Sequence, residues 1–266
     1  MIRVGYYQFR PIFGKVAHNR KKVIQTLRNI SADLIVLPEL AFTGYYFRDR
    51  EEVKLLAEDL KNSPTVDVLK SLCHQKNFYI VTGFAEKYLD KYFNSALLIG
   101  PEGLLQSYRK LHLFYKEKEW FDRSEQELQV TEIRGIKIGM MVCFDWFFPE
   151  VMRILTLKKA DIICHPSNLV LPFCQDAMIT RCLENNVFAI TANRFGWDKR
   201  SHGNLHFTGK SQIVGPNGNI INRSCSQREV IYITEIDSKL AREKNITPVN
   251  ELFSDRRTDL YFPLCE

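Results

Sequence analysis

Short apolar runs alternate with amphipathic stretches along the whole chain, and that alternation narrows the folds open to it. Residues 2–8 read as a strand, and residues 15–30 as a helix with Val23, Ile24, Leu27 and Ile30 on one face. Residues 33–37 form the next strand, and a helix over 64–76 leads to strands at 78–84 and 92–99. Pro101-Glu102-Gly103 then turns the chain into a further strand that runs toward Tyr108. A strand at 136–142, a helix from Pro149 through Lys159, a strand at 161–164, a helix within 173–186 and a strand at 187–193 follow. Residues 206–236 switch to hairpin-like pairs around Pro216-Asn217-Gly218, and a helix at 237–244 gives way to a polar tail. No Gly/Ser-rich or Pro-rich linker and no short repeat breaks the series, so a single unit over 1–266 is expected, with sheet layers covered by helices.

Composition excludes several classes of function. Hydrophobic residues make up 45% of the 266, enough for a sizeable core. The net charge of +6 comes from basic residues that are dispersed, with Arg20-Lys21-Lys22, Lys158-Lys159 and Arg256-Arg257 the densest groups. Such groups mark solvated helix faces, so no nucleic-acid partner is expected. The N-terminus has no uninterrupted apolar segment of a secretion signal, and no run approaches the roughly 18 apolar residues that span a bilayer. Cysteines stand at 73, 143, 164, 174, 182, 225 and 265 without a CxxC pair, and an odd count points to reduced thiols in the cytoplasm. Histidines show no grouping beyond the loose pair His202 and His206, so neither a metal nor another cofactor is expected.

Three stretches carry chemistry. In GMMVCFDWFFPE (139–150), the β-branched run Ile136–Val142 ends at Cys143, and Pro149-Glu150 suit the first turn of a helix. Cys143 thus falls in a strand-to-helix turn, where outward N–H groups support a thiolate or an oxyanion, although most cysteines are merely buried. In LIVLPELAFTGY (34–45), an apolar strand ends at Pro38 and is followed by the carboxylate of Glu39; in YRKLHLF (108–114), Lys110 interrupts a strand-like run. Taken singly, Glu39 also fits the acidic first turn of a helix and Lys110 a solvated surface lysine. Taken in order, they supply a general base, a cation and a sulfur nucleophile, which is a complete set for acyl transfer. His112 is the rival partner for the thiol; only one residue separates it from Lys110, so both are expected on the same side of a strand.

With these motifs, the chain resembles the nitrilase superfamily, the carbon–nitrogen hydrolases, over nearly its whole length. HPSN (165–168), RCLENNVFAITAN (181–193) and DRRTDLY (255–261) extend the likeness, and the form of the segment after Cys143 is most similar to amidase or nitrilase members. The resemblance implies an α/β fold, a four-layer α-β-β-α sandwich of two mixed β-sheets. It implies Glu39, Lys110 and Cys143 as a catalytic triad, with Glu117, rather than its neighbour Glu119, holding the lysine or substrate or helping to deliver a proton to the leaving amine. Lys110 is expected to lower the thiol pKa and, with the Phe144 N–H, to hold the oxyanion. Asn168, Tyr45 and Trp146 are expected at the substrate, with Tyr46, Phe47 and Phe173 as further pocket walls; Asn168 alternatively serves a turn, Asp145 shapes the turn after the cysteine, and Arg181 pairs with Glu184.

The expected activity is hydrolysis of small linear amides or N-carbamoyl compounds through a thioester. A nitrilase acting with the same triad is the alternative, and a non-catalytic binding or scaffold protein is the reading from another class. The resemblance also implies a homodimer or larger homo-oligomer. Its contacts would use the helix from Pro149, apolar on more than one face, and the tail from Thr247 to Glu266.

Overall fold

The computed structural model describes residues 1–265. Val230–Ile236, Ile2–Gln8, Leu34–Val36, Tyr79–Tyr88, Lys91–Gly100 and Gly103–Arg109 lie side by side in that order in one sheet, and Glu58–Asp59 adds a short parallel pairing to Tyr79–Tyr88. The three strands at its centre are parallel and the outer ones antiparallel. The second sheet repeats the plan in the order Ile220–Arg223, Gln212–Val214, Phe188–Asn193, Ile162–Ser167, Ile136–Met140 and Val130–Ile133, again with its three parallel strands paired in the middle.

Side-chain alternation sets the layers. Val4, Leu34, Val36, Val81 and Leu98 point to one face of the first sheet and share a core with Ile138, Met140, Ile162 and Cys164 of the second. Their neighbours Ile35, Ile80, Leu97 and Ile99 point the other way, onto the helices Val16–Arg28 and Pro64–Lys76. Behind the second sheet, the helices Pro149–Leu157 and Cys174–Asn185 bury Val151, Met152, Leu155, Met178 and Cys182. Strands buried on both faces need continuous apolar sequence, which is why these segments are legible as runs rather than as alternations. The result is the four-layer α-β-β-α sandwich. No helix among the described residues is long and apolar enough to cross a membrane.

Helix ends follow local chemistry. Ser63 accepts a hydrogen bond from the Val66 N–H at 3.0 Å, Pro64 occupies the first turn, and Asn77 closes the same helix in the left-handed region. Several expectations needed correction. Arg50–Leu56 is a helix capped by Asp49, and only Val53 of it is buried, so its charged sequence shows no apolar stripe. Val130–Ile133 and the hairpin Phe195–Arg200 with Gly203–Thr208 are additional strand pairs. The helix expected at 237–244 is a 3₁₀ turn over Ser238–Arg242, and the tail contains a small hairpin of Asn245–Thr247 with Asn250–Glu251.

The helix from Pro149 does keep a second apolar face, since Ile154 and Leu157 are exposed. The tail returns over its own chain: the Phe253 ring lies 5.3 Å from the Arg153 guanidinium and 5.2 Å from Lys244 Nζ. Leu260, Phe262 and Leu264 stay exposed.

Candidate active site

Glu39, Lys110, Cys143 and Asn168 each lie just beyond the end of a strand. Glu39 opens a tight turn in which Leu40 takes a positive φ of 48°, so it is not part of a helix. The neighbouring strand comes unusually close: an ideal Cβ on Gly83 would lie 2.3 Å from Glu39 Cα. Only glycine allows that approach, and the Gly83 N–H bonds Pro38 O at 3.1 Å while its carbonyl accepts from Ala41 N–H at 3.3 Å.

Cys143 is the first residue of a 3₁₀ turn, Cys143–Phe147, and sits at φ 42°, an uncommon conformation for a non-glycine residue. Two neighbours hold it there. The buried carboxylate of Asp145 accepts from Val142 N–H at 2.8 Å and Tyr108 OH at 2.7 Å, and from the His112 N–H at 3.1 Å and ring Nδ1 at 2.9 Å. It therefore ties the cysteine turn to the segment that carries Lys110. His165 is wholly buried and its Nε2–H donates to the Cys143 carbonyl at 2.9 Å, while Nδ1 accepts from the Thr191 hydroxyl at 3.1 Å. Burial pulls the His165 pKa down to about 4, which keeps the ring neutral with one donor and one acceptor.

Lys110 follows directly on the strand Gly103–Arg109, and its N–H extends the ladder to Asn94 O at 2.8 Å. Its Nζ lies 2.8 Å from Glu39 Oε1 and 2.8 Å from Glu117 Oε2, with all three side chains fully buried. Tyr45 OH donates to Glu117 Oε1 at 2.6 Å, and Asn94 Nδ2 donates to Glu39 Oε1 at 2.7 Å. Every oxygen of the two carboxylates is thus engaged except Glu39 Oε2, which is buried and has no partner among the described residues.

The electrostatics follow from this crowding. Burial raises the Glu117 pKa to about 6, against the pull of Lys110 and with the push of Glu39. Burial also works against the Lys110 charge, but Glu117 and Glu39 outweigh it and raise the lysine pKa. For Cys143 the expected lowering by Lys110 is present but is outweighed. Burial first and the Glu39 carboxylate second raise the thiol pKa well above its usual value, and Lys110 offsets only part of this. Burial and the two carboxylates thus favour the protonated thiol.

A cleft of about 20 Å³ opens onto Cys143 and is lined by Phe114, Phe144, Trp146, Asn168, Leu169, Val170 and Leu171. Of the residues expected at the substrate, Phe144, Trp146 and Asn168 line it, whereas Tyr45 stands behind the carboxylates on Glu117. Phe47 is buried against Trp120 and Phe121, Tyr46 packs on His202, and Phe173 is exposed. Glu117 is buried and Glu119 exposed, which separates these two neighbours by environment. His112 does not share the side of Lys110: the chain bends after Lys110, and the imidazole stacks on Phe148 at 3.6 Å while bonding Asp145. Arg181 pairs with Glu184 at 3.1 Å. Sequence reasoning missed Asn94 and His165. Each is a polar residue inside a mainly apolar, buried strand, KYFNSALLIG and IICHPS, and a buried polar group in such a setting needs a partner.

Two sheets sandwiched between helices, with an acid, a lysine and a cysteine gathered at the strand ends, define a hydrolase of carbon–nitrogen bonds. Residues 3–245 match the family model described as carbon-nitrogen hydrolase, and the chain belongs to that family. It is 41% identical to a protein named nitrilase from Pyrococcus abyssi, across 98% of this chain and all of that one. It is 28% identical to an N-carbamoylputrescine amidase of Arabidopsis thaliana, across 91% of this chain and 87% of the relative. A carbon-nitrogen hydrolase from Helicobacter pylori G27 shares the fold with a TM-score of 0.88 at 23% identity, covering 100% of this chain and 98% of that one.

Proposed function

We propose that this carbon–nitrogen hydrolase is an amidase in which Cys143 is the nucleophile, Glu39 the general base, Lys110 the oxyanion cation and Glu117 the residue that positions the lysine. The observation that carries the reading is the division of labour on Glu39: Oε1 is held by Lys110 and Asn94, whereas Oε2 is buried with no partner among the described residues, and the Glu39 charge is felt at Cys143. Because burial and the carboxylates favour the protonated thiol, attack is coupled to proton transfer to Glu39 as sulfur bonds the carbonyl carbon. An ammonium has three donors. Lys110 directs one to Glu39 and shares one between the Glu117 oxygens, which leaves the third for the developing oxyanion. The Phe144 N–H, at the start of the 3₁₀ turn where no intrahelical acceptor exists, is the second donor. Collapse of the tetrahedral intermediate returns the proton from Glu39 to the departing nitrogen and leaves a thioester on Cys143. Water deprotonated by Glu39 then releases the acid.

A nitrilase is the second reading, favoured by the name of the Pyrococcus relative. Intact-protein mass spectrometry after mixing with small amides and nitriles tests both. An acyl increment on wild type that is absent from Cys143→Ala supports the mechanism; turnover by Cys143→Ala at the wild-type rate overturns it. The odd cysteine count supports a reducing, cytoplasmic setting. We further propose a homodimer or larger assembly through Ile154, Leu157 and the exposed tail residues Leu260, Phe262 and Leu264. Sedimentation equilibrium that finds only the 31.1 kDa chain mass at micromolar concentration overturns that assembly.

A further inference from the structure

A second cavity, of about 610 Å³, lies between residues 10–13, just beyond the strand Ile2–Gln8, and residues 198–200 of the hairpin strand Phe195–Arg200. Three cations line it, Arg10, Lys199 and Arg200, and Asp198 is the one acid among the described lining residues. That acid is already engaged, because the wholly buried Arg194 holds it through two bonds of 2.8 and 2.7 Å. Arg200 Nη2 donates to Glu52 Oε1 at 2.6 Å, whereas Nη1 is buried with no partner among the described residues. The Arg200 guanidinium stacks on the Phe13 ring, 3.6 Å from its centroid, which fixes it on this wall. With Asp198 and Glu52 taken, no ion pair or side-chain hydrogen bond engages Arg10 or Lys199 among the described residues. The stem of Arg10 lies on Gly196, where an added Cβ would stand 3.2 Å from Arg10 Cδ, so its guanidinium is held against the hairpin.

Arg10, Arg194, Lys199 and Arg200 set against Glu52 and Asp198 leave an excess of two positive charges in this cluster. The crowding is felt inside the protein: burial pulls the Arg194 pKa below its usual value, Asp198 opposes this, and Arg10 adds to the pull. We infer that the cavity is a binding site for a doubly charged oxyanion of the phosphate class, held by Arg10, Lys199 and Arg200 Nη1. Such an anion supplies the acceptor that the buried Nη1–H lacks and cancels the mutual repulsion of the cations. A guanidinium also presents its donors in a planar fork that matches the edge of a phosphate. The cavity shares no lining residue with the cleft at Cys143, so this site stands apart from the hydrolytic one and from the amidase reading.

Titration calorimetry of the full chain with inorganic phosphate, sulfate and acetate, at constant ionic strength in chloride, measures the site. Phosphate and sulfate should each saturate with a Kd of about 1 mM or below, and acetate, with a single charge, should bind at least about 10-fold more weakly. Arg10→Gln should weaken phosphate at least about 10-fold, and Lys199→Gln, at an exposed residue, about threefold. Glycerol 3-phosphate separates two sources of the same group: tighter binding than phosphate assigns a phosphorylated small molecule, and weaker binding the free ion. Absence of saturable heat, or unchanged affinity in Arg10→Gln, overturns the site. Competitive inhibition of amide hydrolysis by phosphate at the same Kd would put the anion at Cys143 and overturn it equally.

Thermal unfolding adds a readout whose sign separates binding from packing. Without phosphate, Arg10→Gln relieves repulsion and should melt at or above wild type; at saturating phosphate, wild type should melt higher. An Arg10→Gln protein that melts below wild type under both conditions would make Arg10 a packing residue and refute the binding role. Equal stabilisation of both proteins would reduce the effect to exclusion of phosphate from the protein surface, which also discards the site.

Discussion

Gly83→Ala is the substitution that best isolates the placement of the base. Gly83 lies on Tyr79–Tyr88 and does not line the cleft at Cys143, and the atoms its methyl would meet belong to Glu39 and Leu40, so its effect passes through that turn. The new methyl would stand 2.3 Å from Glu39 Cα and 2.5 Å from Leu40 N, where ordinary contact begins at 3.4 Å. Both obstacles are backbone atoms, and no rotamer relieves them. Either the strand or the Glu39 turn must move by about 1 Å, an overpacking that costs about 1–3 kcal/mol of stability. A shift of that size breaks the 2.7 Å and 2.8 Å bonds that hold Glu39 Oε1 and displaces the whole carboxylate. Misplacement of a catalytic group by about 1 Å costs about 10²-fold in rate, and that is the loss expected in kcat/KM. Gly5→Ala is the matched control. Its methyl would stand 2.2 Å from Tyr232 O, an equally hard backbone collision at the edge strand, so it should destabilise comparably without loss of turnover. Thermal unfolding and amide hydrolysis, both measured on the two variants well below their midpoints, decide the matter. Gly83→Ala with kcat/KM within twofold of wild type, or Gly5→Ala losing as much activity as Gly83→Ala, would refute the reasoning.

Lys110→Met should reduce kcat by about 10³-fold or more and destabilise the fold by about 3–5 kcal/mol, because Glu39 and Glu117 are left facing one another in a buried site; Lys110→Arg should recover little activity, since a planar guanidinium cannot replace a point charge in that space. Stopped-flow acylation and denaturant unfolding check both effects. The Glu117 pKa is raised above its usual 4.5 to about 6, so the native state holds its proton more tightly than the unfolded chain. This group's contribution to stability therefore falls as pH rises from about 4.5 to 6. Ionised Glu117 is the form that holds Lys110, so kcat/KM should show an acid limb near pH 6 that moves to lower pH in Glu117→Gln; an unmoved limb would remove Glu117 from this role. His165→Gln, which can still donate to the Cys143 carbonyl, should retain more kcat than His165→Leu at similar KM, and equal losses would mean that the ring serves packing alone.

The amino-acid sequence by itself announced the buried strands and the main amphipathic helices and put forward Glu39, Lys110 and Cys143 as candidates. Both are local signals: a strand buried on two faces must be apolar throughout, and a charged or nucleophilic residue at the end of such a run is conspicuous. Segments without an apolar pattern were not legible in this way. Arg50–Leu56 buries one residue, and Ser238–Arg242 is too short to show a helical period.

Tertiary structure decided what the chemical groups do. Asn94 reaches Glu39 from 55 residues away, and His165 reaches the Cys143 carbonyl from 22 away, pairings that no local spacing announces. Glu117 and Glu119 are chemically the same residue two positions apart, and only packing buries one and leaves the other in water. The protonation state of Cys143 belongs to this class as well. A nearby lysine taken alone favours the thiolate, yet complete burial and two carboxylates in the same enclosure outweigh it. Desolvation depends on everything that surrounds a group, so its sign emerges only once the sheets and loops have closed around the site.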